Sequence, residues 1–70
     1  SKKSALLLQE MLEINQDIAT ALSDTVKRQE GYYNRINKLS TASKTQKDNA
    51  YSSFTSAKTQ YLGTKEKIVN

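Results

Sequence analysis

The side chains whose types and spacing most invite a catalytic reading are acidic. Glu10 and Glu13 stand three residues apart and Glu13 and Asp17 four apart, so each pair would share one face of a helix. Two carboxylates divide the work of general acid and general base only where a desolvated cleft pulls their pKa values apart. The positions around these three are polar and read as surface. The chain has neither histidine nor cysteine, which removes zinc sites, thiol nucleophiles, imidazole bases and disulfides together. Gly31 and Gly63 are isolated, and neither a GxxxxGK[ST] loop nor a GxGxxG turn is present to cradle a phosphate. The expectation is a non-enzymatic protein with no metal, no cofactor and no small-molecule substrate.

Tyr32, Tyr33, Tyr51 and Tyr61 alternate with Lys27, Arg28, Arg35, Lys47, Lys58 and Lys65, a mixture that can stack bases beside phosphate contacts. Helical DNA-binding motifs concentrate their basic residues on one recognition helix. Here the lysines are spread thinly, so a nucleic-acid partner is not expected. The net charge is +4, and most of it lies late in the chain. Residues up to Leu39 hold six Lys and Arg against five acids, whereas those from Ser40 onward hold five lysines against two acids. On a helix, Lys44, Lys47, Lys58 and Lys65 fall along one side. They are candidate contacts for an anionic membrane surface, or lysines that keep an exposed helix face soluble.

All of these groups depend on helices to position them. The sequence has no proline and two glycines, so nothing forces a break over long stretches. Alternating steps of three and four give Ala5, Leu8, Leu12, Asn15, Ala19, Leu22, Val26, Gln29, Tyr33 and Ile36, then Ser40, Ser43 and Lys47. The same register resumes at Ala50, Phe54, Ala57, Tyr61, Thr64 and Ile68. An average repeat of about 3.5 residues is the signature of left-handed helix-on-helix packing. The candidate packing seam is therefore Leu8, Leu12, Leu22, Val26, Tyr33, Ile36, Phe54, Tyr61 and Ile68, with Leu22, Val26 and Ile36 expected in the core. Leu7, Met11, Ile14, Ile18, Tyr32 and Leu39 widen the apolar face, as suits a bundle of several helices. Asn15 and Gln29 on the seam read either as buried amides that fix pairing or as residues at a wet edge.

The fold class expected is all-α: long amphipathic helices forming an antiparallel hairpin or a coiled coil within a bundle. The whole of 1–70 reads as a single helical segment, with helices over about 2–39 and 50–68 and a polar stretch over about 40–49. In that stretch the spacing allows a turn, with Asp48 or Asn49 as N-cap of the second helix, or one continuous rod about 100 Å long at 1.5 Å per residue. The turn is the favoured form, since a rod of that length needs partners along its whole extent. Gly31 reads as a kink or a close approach between helices, and Gly63 as a helix end. At 70 residues with 36% apolar side chains, the chain fills one narrow stripe, so it is expected to belong to a larger bundle or oligomer.

The runs IATALSDTV at 18–26 and AYSSFTSAKTQYLGTKEKI at 50–68 resemble the middle of an F-BAR domain or a related BAR-type bundle. The resemblance implies long helices in an antiparallel crescent dimer whose lysines bind acidic membrane. From the residues themselves, the leading expectation is a helical assembly or scaffold module that packs against itself or another helical protein. A BAR-type membrane-binding dimer and a helical filament component are the alternatives. The longest apolar run, residues 5–8, is far short of the roughly 20 residues a span requires. A cytoplasmic protein is expected, peripheral to membrane if the lysines are so used.

Overall fold

A computed structural model describes residues 2–69. Two helices account for nearly all of them: α1 over Lys2–Lys38 and α2 over Lys44–Val69, antiparallel and packed side by side. The molecule is a helical hairpin, and the continuous rod is excluded. Its largest dimension is 60 Å, with 14 and 13 Å across. That length matches α1 alone, whose 37 residues span about 55 Å at 1.5 Å per residue.

The seam that joins the helices is narrow and built of small residues. The buried apolar residues are Ala19, Ala50 and Ala57, and Ala50 is the most enclosed at 2% exposure. Half-buried around them in the same register are Asn15, Leu22, Val26, Gln29, Tyr33 and Ile36 from α1, and Lys47, Phe54, Tyr61, Thr64 and Ile68 from α2. Methyl side chains let two backbones approach closely, and the larger residues then lie along the edges of the contact with one side open to water. Leu22, Val26 and Ile36 are accordingly half-buried, where a core position was expected. The amides of Asn15 and Gln29 lie at a wet edge.

The helix-breaking tendency of the many Ser and Thr residues is offset locally. The hydroxyls of Thr20, Thr25, Thr55 and Thr59 each donate to the carbonyl four residues back, at 3.0–3.1 Å. Such back-bonding satisfies a polar group without taking a donor from the helix.

The turn is shorter than the polar run suggested. The Leu39 N–H donates to the Ile36 carbonyl and the Ala42 N–H to the Leu39 carbonyl, both at 3.2 Å, so the chain reverses within residues 39–43. Helix α2 then begins at Lys44, not near residue 50, and its N-cap is Ser43 in place of Asp48 or Asn49. The Gln46 N–H donates to Ser43 Oγ at 3.1 Å while the Ser43 N–H donates to Gln46 Oε1 at 2.8 Å. This is a reciprocal capping box, which satisfies two otherwise orphaned donors. Capping chemistry, with no apolar residue needed, starts the helix. Ser40 and Ser43, assigned to the seam by period, lie exposed in the turn. Ser43→Ala is expected to cost about 1 kcal/mol and to lower the thermal midpoint measured by circular dichroism, with Ser56→Ala as an exposed mid-helix control.

Neither glycine punctuates the fold. A Cβ on Gly31 would meet only Arg35 Nη1, at 3.9 Å, which is ordinary contact, and a Cβ on Gly63 would meet nothing within 4 Å. Helix α2 runs through Gly63 to Val69, so the helix end expected there is not found, and Asn70 lies outside the described residues.

Candidate helix-packing surface

The two helices differ in length, and this difference creates the most distinctive surface of the molecule. With 37 residues against 26, and with the turn fixing their alignment, α1 extends beyond α2. Burial shows where: every residue of 2–14 is exposed, and the first half-buried position is Asn15. Ala5, Leu8 and Leu12 continue the register that α2 covers from Asn15 onward, but α2 does not reach them. Leu8 and Leu12, expected in the seam, are 66% and 40% exposed.

Beside them stand Leu7, Met11 and Ile14 at 60%, 58% and 56%, followed by Ile18 at 44%. Their spacing of four, three and four keeps them on one face. The run 5–14 contains seven apolar residues, and all of them are exposed among the described residues.

At the other end of the hairpin, Tyr33 links the two helices. Its ring centroid lies 5.5 Å from that of Tyr51 and 6.0 Å from that of Phe54, within the range of favourable aromatic pairs. Lys58 Nζ lies 5.2 Å from the Phe54 ring centroid, and Lys65 Nζ 5.7 Å from that of Tyr61, both cation–π distances. Tyr33 and Tyr61 thus pack within the hairpin, so neither is presented as a platform for a base.

The four lysines considered for an anionic surface are placed unequally. Lys47 is half-buried on the seam, and Lys58 and Lys65 bend over seam aromatics. Lys44 pairs with Asp48 at 3.0 Å across one turn. They follow one flank of α2 beside the seam, and their charges are partly engaged within the hairpin.

The acids Glu10, Glu13 and Asp17 are all exposed on the projecting part of α1 or next to it, where no cleft surrounds them. An open groove of about 600 Å³ near the turn is lined by Tyr33, Asn37, Lys44, Lys47, Asp48, Tyr51 and Ser52. Among the described residues no three His, Cys, Asp or Glu side chains come together as a metal site would require, and no helix is long and apolar enough to cross a membrane.

The Ser43–Gln46 capping box was readable in the run SKTQ. The Tyr51 contact was not, since that residue lies off the repeat. No protein-family model, curated protein or solved structure matches the chain.

Proposed function

We propose that this chain is a non-enzymatic helical assembly module that joins other helices through the apolar ridge of α1 that α2 leaves uncovered. The observation that carries this reading is the exposed ridge of Leu7, Met11, Ile14 and Ile18 on one face of α1, open even at Ile18, where α2 runs alongside. Single exposed leucines are ordinary, but a contiguous apolar patch marks an interaction surface. A helix with one apolar face and no neighbour is also marginal in water, because packing supplies most helix stability.

The BAR-type reading rests on the basic flank of α2. Two of its four lysines lie over rings and one lies on the seam, so helix packing is the better supported use of this hairpin.

A photo-crosslinking amino acid at Leu7, introduced in the cell that makes the protein, is expected to give discrete adducts with a helical partner. The same probe at Ser56, an exposed position of α2, is expected to give none. Equal labelling at both positions, or none at Leu7, would sink the reading.

A further inference from the structure

We propose that the occupant of the projecting face is a second copy of this chain, packed antiparallel so that the two α1 segments form a symmetric pair. The inference rests on the assembly reading above and adds the partner and its orientation. Two observations support it. The first is continuity. Leu8 and Leu12 extend the same register that the hairpin's own interface uses from Asn15 to Ile36, so this end of α1 continues an established helix-packing seam. The adjoining ridge of Leu7, Met11, Ile14 and Ile18 remains open alongside α2 as far as Ile18.

The second observation is the order of charges on one flank of that ridge. Lys3, Glu10 and Asp17 recur at intervals of seven and are all exposed, so they line a single edge of the apolar face. A two-fold axis perpendicular to two antiparallel helices brings the same flank of each together, whereas a parallel pair brings opposite flanks together. Antiparallel pairing centred near Met11 sets Leu7 against Ile14 of the other copy and Lys3 beside its Asp17, twice by symmetry. The cost is an approach of the two Glu10 side chains near the axis. Parallel pairing would set this charged edge against the uncharged edge of Leu8, Leu12 and Asn15, and Lys3 would have no acid to meet.

The test uses single-cysteine variants, which are unambiguous because the described chain contains no cysteine. Sedimentation equilibrium of the unaltered chain is expected to show a monomer–dimer equilibrium. Met11→Cys should form a disulfide dimer readily. Leu7→Cys should link to Ile14→Cys when the two variants are mixed, and only weakly to itself. Lys3→Glu or Asp17→Lys should each weaken the dimer on the order of tenfold, since exposed pairs contribute modestly and reversal adds repulsion. The double exchange Lys3→Glu with Asp17→Lys should restore it.

A dimer in which Leu7→Cys links to itself as fast as Met11→Cys is parallel; this overturns the inference and leaves the assembly reading intact. Adducts at Leu7 in the cell from a chain that stays monomeric alone point to a different partner and also overturn it. Absence of both adducts and dimer removes the assembly reading itself.

Discussion

Ala50→Leu is expected to lower the thermal midpoint of the hairpin by about 10 °C. Ala50 is 2% exposed and faces the narrowest part of the interface. Tyr33 reaches across to Tyr51 and Phe54, which follow Ala50 on the same side of the hairpin's turn. A leucine there must push neighbouring atoms of α1 aside or turn into the open groove beside Tyr32, Gln46, Asn49 and Ser53, and either course disturbs the close seam. Overpacking of this kind costs about 1–3 kcal/mol, and in a domain of this size each kcal/mol corresponds to about 4–8 °C. The hairpin has little reserve to absorb the loss, because the buried residues among those described are all alanines. The same substitution at Ser56, exposed on α2, should be nearly silent. Circular dichroism melts of the two variants, run at dilution low enough to exclude association, decide the matter. A rise in midpoint for Ala50→Leu would mean that the alanines do not mark a close approach.

That same register shows what was legible in the sequence and what was not. A repeat of three and four identified the residues that line the hairpin from Asn15 to Ile68, because side-chain period along a helix is a local property. It also assigned Leu8 and Leu12 to the seam, and there it could not distinguish a residue covered by its own chain from one left uncovered. Coverage depends on where the chain turns, and the turn is set by a few polar contacts at Ser43 and Gln46 that carry no apolar signal. Moving the start of α2 from about residue 50 to Lys44 changes which residues of α1 lie opposite it. The paired acids were legible as a pattern. The structure leaves all three exposed, although Glu10 and Asp17 border the apolar ridge of Leu7, Met11, Ile14 and Ile18. The lysines of α2 were legible as a flank, but the capture of Lys58 and Lys65 by rings on the seam depends on Phe54 and Tyr61 facing one edge of it, which the period alone leaves open.

The double variant Gly31→Ala with Gly63→Ala is expected to move stability in the opposite direction, raising the midpoint by about 5–10 °C. Glycine inside a helix is about 1 kcal/mol less favourable than alanine, because the unfolded chain loses more backbone freedom on ordering. Both glycines lie within helices, neither has positive φ, and an added Cβ finds ordinary contact at Gly31 and open space at Gly63. The gain should be larger at Gly31, in the middle of the packed region, than at Gly63, which lies in the last two turns of α2, where a helix frays. Separate melts of the single variants test that order. A midpoint lowered by Gly31→Ala would contradict the space found beside it within one hairpin. If that loss grew with protein concentration, Gly31 would lie under a second chain, and the contact between copies would have to reach beyond the projecting end of α1.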